Sequence, residues 1–550
     1  MNSAKKIIII GIDGGTLKLV TPWAQNGYLP NLKKLMDQGY HGTLYSTIHP
    51  VTAPAWTSFL TGANPGKHGI YDFFLKETSE YKIRYATAQD RKIPTIYELL
   101  DRNGIKAGVI NVPMTYPPEN LENGFIIPGL GTPGTSSNFS SPKAIYEEVV
   151  DRFGPYSVLN ELNDSSRDGY VRNLLGSTEQ LGSITEYLLK KHNPPFLMVV
   201  FNASDFSQHH FWHYMDPTHP LYRDDARYSN VIRNVYGKID EGIGAIMAAI
   251  DSDTNIIVMS DHGAGPAMGY LNINKWLEEA GLLRYKNNNT TSLLREVRLS
   301  MRKYLPKSIK YTMEKYLSSV KNLVDSKVSF HNIDMSKTVA FAHGVYGNIF
   351  LNIRGRDKEG VLDLSDRPKA VRDISDGLNE IKDPHTGEQI VERVYEKEEC
   401  YHGPHIDYAP DLLIPFTDYK YYTCPSVNTS HKKVFMRKFE GENIGELESF
   451  SYHRLDGMFI LYGEGIRQGI CPDQTHITDI APTVLHMLGW NIPDYMDGRV
   501  ISEAFVNNTS TTENHRAADL TAPDKKESSS RLSNEDEEEM KKALKSLGYM

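Results

Sequence analysis

Six side chains in this sequence combine metal-ligand chemistry with telling positions: Asp13, Asp205, His209, Asp261, His262 and His453. Carboxylates and neutral imidazoles bind divalent cations such as zinc and manganese, and there are enough of them here for two sites. Asp13 follows the apolar run Ile7–Ile12, and Asp261-His262 follows the run Asn255–Ser260. Asp205 and His209 lie four apart, which puts both on one face if a helical turn follows Phe201. His453 precedes another apolar run, Met458–Tyr462. Singly, each residue has an ordinary alternative role as turn former, helix cap or buried histidine. The weight rests on their joint occurrence.

A hydroxyl completes the set. In Pro50-Val-Thr52-Ala-Pro54 the threonine sits in a Pro-bounded turn ahead of an apolar helical segment. The N–H groups and dipole of a helix N-terminus favour an anion there. Thr52 is therefore either a nucleophile beside a bound anion or a plain helix cap, two roles that compete for one oxygen.

The elements that must position these groups are legible as short apolar runs between longer amphipathic segments. The runs are Ile7–Ile12, Ala107–Val112, Phe196–Phe201, Asn255–Ser260, Asp411–Phe416 and Met458–Tyr462. They predict an α/β fold with a large, mostly parallel central sheet and helices on both faces. Ligands of open α/β sheets collect beyond the carboxyl ends of the strands, which is where Asp13, Asp205 and Asp261-His262 fall.

At 550 residues, 40% hydrophobic and 23% charged, the chain suits one extended sheet and excludes disordered, collagenous and coiled-coil readings. Its longest apolar runs fall far short of the roughly 18–20 residues that cross a bilayer. A formal net charge of −9 opposes attraction to phosphate backbones and anionic lipids, so no stable nucleic-acid or membrane partner is expected. Cys400, Cys424 and Cys471 are too few and scattered for a disulfide framework. The N-terminus has a basic start, but its apolar stretch is short and lacks a cleavage site, which reads as a first strand of a cytoplasmic protein.

Residues 1–505 read as one core with two candidate insertions or lid segments. Residues 287–337 are helical in pattern and rich in Lys and Arg, as a solvated face also would be, and residues 415–451 are polar and irregular. Residues 506–532 read as a flexible linker. Residues 533–550 read as a short helix capped by Ser533, with Glu537/Lys541 and Glu538/Lys542 pairs.

Taken in order, several motifs resemble the alkaline phosphatase superfamily, in particular its type I phosphodiesterase/nucleotide pyrophosphatase branch and related phosphohydrolase/phosphomutase-like proteins. They are Gly11-Ile-Asp13-Gly-Gly, Thr52-Ala-Pro-Ala-Trp56 continuing to Gly62, Asn64-Pro-Gly-Lys67-His-Gly69, Asp205-Phe-Ser-Gln-His209, Ser260-Asp-His-Gly263 and His453. Asp479-Ile-Ala-Pro-Thr and Asp497-Gly-Arg499 look like that superfamily's C-terminal signature, so the resemblance spans roughly residues 6 to 505. It implies a bimetal site. One metal would be held by Asp13, Asp261, His262 and the Thr52 oxygen, and the other by Asp205, His209 and His453. Zinc is the usual metal of the branch, and manganese serves in related mutases.

Two divalent cations against three aspartates leave about one surplus positive charge, which favours a Thr52 alkoxide and an anionic substrate. Attack on phosphorus would give a phospho-threonine that water then hydrolyses.

The chain also departs from the branch, whose members commonly carry a Thr-Phe-Pro-Asn turn. Here the turn is Thr52-Ala53-Pro54-Ala55, so a backbone N–H, Asn111 or Lys67 would have to replace the missing amide donor. With neither Cys nor Ser at position 52 and no following Arg, a sulfatase is a poor fit. Trp56, Tyr71, Phe73, Phe74, Phe211 and Trp212 are either core or stacking surfaces for a leaving group. Arg454 is either a phosphate clamp or a surface or ion-paired residue.

The expectation is a two-metal phosphohydrolase acting on a small phosphate ester, nucleotides included, and favouring diester or pyrophosphate bonds. The alternatives are a cofactor-independent phosphomutase, a phosphomonoesterase, or a metal-stabilised binding protein without activity.

Overall fold

The isoleucine run Ile7–Ile12 forms a central strand of a nine-stranded sheet in the computed structural model, with all six residues buried. The structure describes residues 6–77, 81–133, 139–156, 166–286, 330, 332–423, 434–436, 449–472, 474–506, 533 and 536–540. Across the sheet the order is Gly469–Ile470, Tyr40–Tyr45, Asp456–Tyr462, Asn255–Met259, Ile7–Ile12, Phe196–Phe201, Ala107–Val112 and Phe125–Pro128, with Thr475–His476 pairing Tyr40–Tyr45.

Successive side chains of a strand face opposite sides, so the unbroken apolar runs require cover on both. Ile8, Ile10 and Ile12 join a core with helices Leu17–Gln25, Pro30–Gln38, Arg167–His192 and Val231–Ala249. Ile7 and Ile9 join a second core with helices Thr52–Thr61, Ile96–Arg102 and Ile480–Met487.

Asp456–Tyr462 lies in the main sheet and runs antiparallel to both neighbours, the reversed strand of an otherwise parallel set among the described residues. One strand expectation changes. Asp411–Phe416 is not a strand of the main sheet. Only Leu412–Leu413 is extended, within a four-stranded antiparallel sheet with Ala340–His343, Asn348–Leu351 and Tyr395–Glu396. Leu412, Ile414 and Phe416 are apolar because they fill a third core beneath this smaller sheet, together with helix Arg367–Asn379.

Of the first candidate insertion, residues 287–329 and 331 lie outside the described residues, as do 424–433 and 437–448 of the second. The linker reading of 506–532 also lies outside them, Val506 excepted. Within 533–550, residues 536–540 are helical, and Met540 is buried in the main core. Among the described residues no helix is long and apolar enough to cross a membrane.

Candidate metal centre and active site

The centre is built at the carboxyl ends of three adjacent parallel strands. Asp13 follows Ile7–Ile12, its N–H bonded to the Phe201 carbonyl of the neighbouring strand. The chain then turns through Gly14 at φ +66, where a Cβ would lie 3.1 Å from Asp205 Oδ1, so only glycine suits the turn. Asp261-His262 follow Asn255–Met259 on the other side. Asp205 and His209 stand one turn apart on helix Ala203–Met215, which begins just after Phe196–Phe201. His453 arrives from far along the sequence on the ribbon Ser451–Arg454, paired antiparallel with Gly263–Pro266.

Thr52 is the first residue of helix Thr52–Thr61, not its cap. The cap position is Val51, which has no side-chain acceptor to offer. The Thr52 hydroxyl therefore points elsewhere, and its Oγ1 lies 3.3 Å from His262 Nε2.

All of these side chains are buried and converge. His262 Nε2 is 3.2 Å from Asp261 Oδ2 and 3.6 Å from Asp13 Oδ1. His209 Nε2 is 3.2 Å from Asp205 Oδ2, and His453 Nε2 is 3.5 Å from Asp205 Oδ1. Two sets of potential ligand atoms lie within 4.8 Å of one another, Asp13/Asp261/His262 and Asp205/His262/His453. His262 thus belongs to both groups, its ring stacked on that of His453 at 3.5 Å between centroids.

The hydrogen bonds of the outer ring nitrogens set the tautomers. His262 Nδ1 faces the Gly263 carbonyl at 2.9 Å, and His453 Nδ1 faces the Pro50 carbonyl at 2.7 Å. His209 Nδ1 faces the Ser451 carbonyl at 2.9 Å and Ser449 Oγ at 2.6 Å. Carbonyl oxygens only accept, so each Nδ1 carries the proton and each Nε2 presents a lone pair inward. Asp13 Oδ1, Asp205 Oδ1 and Asp261 Oδ2 face the same space with no hydrogen-bond donor. Three Nε2 lone pairs and three carboxylate oxygens without a hydrogen-bond donor are the donor set of divalent cations, so the residues fit the metals that the sequence motifs imply.

The electrostatics agree. Burial, then the neighbouring Asp261 and Asp205 carboxylates, push Asp13 well above the ordinary range of an aspartate. Burial also raises Asp261, with Asp205 adding to the effect. Burial works in the same direction on Asp205, but His209 and His453 outweigh it and hold that carboxyl low. His262 is driven toward its neutral form by burial and then by His453, and burial does the same to His453. Positive charge between these groups would relieve the strain on both carboxylates.

The outlying candidates are placed differently. The Arg454 guanidinium is buried and donates to the carbonyls of Tyr419, Tyr452, His453 and Pro266. Lys67 is committed to Asp497 and the Tyr495 carbonyl, which ties the Asn64–Gly69 turn to the Asp497 loop. Trp56 is fully buried, and its Nε1–H reaches Asp13 Oδ2 at 3.4 Å, making it a holder of Asp13 and not a stacking surface. Phe73, Phe211 and Trp212 belong to the main core. Asn111, next to last in the strand Ala107–Val112, donates through Nδ2 to the Val200 carbonyl at 2.7 Å.

Sequence reasoning missed Pro50, Gly263, Ser449 and Ser451. Three of them act through backbone carbonyls, which leave no mark on residue type. Ser449 lies in a polar stretch with nothing to single it out.

With this geometry in view, three comparisons bear on the chain. The family profile described as Type I phosphodiesterase / nucleotide pyrophosphatase matches residues 7–441. No curated protein gives a significant match.

Among solved structures, wild-type alkaline phosphatase PafA is similar with a TM-score of 0.52 at 14% identity, covering 92% of this chain and 100% of that one. Phosphonoacetate hydrolase from Sinorhizobium meliloti 1021, solved with phosphonoacetate, gives 0.49 at 14% identity over 87% and 94%. Human ectonucleotide pyrophosphatase/phosphodiesterase 5 gives 0.48 at 12% identity over 92% and 100%. The likeness to PafA supports the fold. The profile match spans most of the sequence, so the chain belongs to the type I phosphodiesterase/nucleotide pyrophosphatase family and is a metal-dependent phosphoric ester hydrolase.

Proposed function

We propose that this protein is a two-metal phosphohydrolase that uses Thr52 as nucleophile. Its substrate is a small phosphate ester, nucleotides included, with diester or pyrophosphate-type bonds preferred over monoesters. The observation that carries this reading is the ring of inward Nε2 lone pairs and donor-less carboxylate oxygens beside Thr52 Oγ1.

Asp13, Asp261, His262 and Thr52 would hold one divalent cation, and Asp205, His209 and His453 the other, zinc or manganese by ligand type. When bound, the cations would neutralise substrate charge and lower the pKa of the threonine hydroxyl. Thr52 Oγ1 attacks phosphorus, the bond to the leaving oxygen breaks, and a phospho-threonine forms. Water then attacks the same phosphorus, freeing Thr52 and phosphate or a phosphomonoester.

The chain contributes further to binding. Pro54 has no N–H and that of Ala55 goes to the Val51 carbonyl, so the Ala53 N–H would take over from the amide that Ala55 lacks. Thr52 Oγ1 lies 3.3 Å from His262 Nε2, so both would reach the same cation, and Trp56 steadies Asp13.

The diester preference is supported by family membership. It is tested by the ratio of kcat/KM for an aryl phosphodiester to that for the matching aryl monoester, measured in zinc- and manganese-loaded enzyme. A ratio well above one is expected. A ratio well below one would point to a monoesterase or a mutase.

A further inference from the structure

The stretch that leads into Thr52 is held from outside the main sheet. Tyr401 is buried and follows the short helix Lys397–Cys400, which continues from the Tyr395–Glu396 strand of the smaller sheet. Its hydroxyl donates to the Ile48 carbonyl, just upstream of Thr52. Tyr71, Tyr401, Ala409 and Leu413 form a small core of their own, and Ile48 packs against it. We propose that Tyr401 is a positioning residue that sets the nucleophile and one metal ligand together, acting through residues 48–50, a proposal that rests on the phosphohydrolase reading above.

Residues 48–50 have little freedom of their own. Proline fixes φ at position 50, and the His49 carbonyl accepts from the Val51 N–H and from the Thr47 hydroxyl, each at 2.8 Å. Val51 is the cap position of helix Thr52–Thr61. The Pro50 carbonyl takes the Nδ1–H of His453 at 2.7 Å, the bond that turns Nε2 inward. A shift at Ile48 therefore reaches Thr52 along the chain and His453 across one hydrogen bond.

Tyr401 is itself well fixed, because the residues after it grip the far end of the same helix. The His402 N–H reaches Asn64 Oδ1 at 3.2 Å, and the His405 N–H reaches the Gly66 carbonyl at 3.0 Å. Two backbones pass here closer than side chains permit. A Cβ on Gly66 would stand 2.5 Å from the His402 carbonyl oxygen, and one on Gly403, at φ +131, would stand 2.6 Å from that of Gly66. Tyr71 closes the joint, donating to the His405 carbonyl at 2.7 Å with its ring edge-on to that of Tyr401 at 5.3 Å. Residues 401–405 thus hold the nucleophile helix from before its first turn to beyond its last.

Catalytic geometry is steep, a misplacement of about 1 Å costing up to roughly a hundredfold, and loss of an outer partner of a ligating histidine costs about 10- to 100-fold in metal affinity. Tyr401 acts one bond further out than such a partner, so the effect expected on each is at the lower end, about tenfold.

The test uses full-length enzyme and Tyr401→Phe, which keeps the ring and removes the donor. With an aryl phosphodiester, kcat should fall about tenfold with KM within about twofold, and zinc affinity by competitive chelator titration should fall about tenfold. Tyr421→Phe is the control. It too loses a buried phenol hydrogen bond, to Asp383 Oδ2 at 3.1 Å in the third core, and should leave both quantities unchanged. Wild-type values in Tyr401→Phe, equal losses in the two variants, or a rise in KM at unchanged kcat would overturn the proposal. Should Tyr401→Phe fail to fold, Thr47→Val removes the other side-chain support of residues 48–50, and wild-type kcat and zinc affinity there would overturn it equally.

If wild type cleaves no phosphate ester, the phosphohydrolase reading fails on its own, and the chelator titration decides Tyr401. Weaker zinc binding in Tyr401→Phe but not in Tyr421→Phe supports its role, and equal affinity refutes it. A wild type that takes up no divalent ion would sink both.

Discussion

His209 Nε2 and His453 Nε2 lie 3.2 Å apart, each with its proton committed to the opposite ring nitrogen. Two lone pairs at that separation repel unless a cation stands against both. Metal removal should therefore destabilise the fold. Chelated protein should melt below the loaded form, with zinc or manganese restoring it by roughly 4 kcal/mol at a thousandfold excess over Kd. Calorimetry with and without chelator reads this, and identical melting would contradict a metal centre here.

The orientation of His209 depends on Ser449 and the Ser451 carbonyl. Ser449→Ala should weaken metal binding about 10- to 100-fold, as loss of an outer partner of a ligating histidine typically does. A competitive chelator titration measures it. An unchanged affinity would mean that the Ser451 carbonyl alone positions the ring.

Thr52→Ala should lower turnover by at least about a thousandfold while the fold persists, since the helix cap is Val51 and not Thr52. Acid-quenched wild-type enzyme should yield a phosphorylated peptide containing Thr52. Substantial turnover by the alanine variant would exclude the covalent route.

Arg454 should prove structural. Its buried guanidinium joins the carbonyls of Tyr419, Tyr452, His453 and Pro266, so Arg454→Lys leaves acceptors unmatched. A loss of about 2–3 kcal/mol is expected by urea denaturation, with KM of the folded enzyme little changed. A selective rise in KM with unaltered stability would return Arg454 to substrate binding.

Asp72 gives a pH signature apart from the metals. Burial pushes its carboxyl up to about 7, partly offset by the Phe73 and Phe74 N–H groups. Asn348 Nδ2 also reaches it at 3.4 Å, and Lys76 and His343 line a shallow recess together with Asp72. A raised carboxyl favours the fold when protonated, so its contribution is present below about pH 4 and is lost as pH rises toward 7. Relative to wild type, Asp72→Asn should gain stability across that window, by at most roughly 4 kcal/mol, and level off above it. Denaturation at several pH values tests this, and parallel curves would refute it.

The sequence by itself determined the α/β frame, because strands buried on both faces must be apolar throughout, as Ile7–Ile12 and Phe196–Phe201 are. It also set which residue types stand at the strand ends, since Asp13, Asp205 and Asp261-His262 follow their strands directly in the chain. Hydrophobic pattern carries no direction, so the reversal of Asp456–Tyr462 was decided by tertiary pairing. Nor does pattern say which core a run fills, and Asp411–Phe416 went to the smaller one. Chain folding alone brought His453 from 244 residues away to His209. It also gave Arg454, Lys67 and Trp56 their partners within the protein. The protons on the histidines were settled by the carbonyls of Pro50, Gly263 and Ser451. Every residue has a carbonyl, so only the three-dimensional arrangement shows which ones aim these rings.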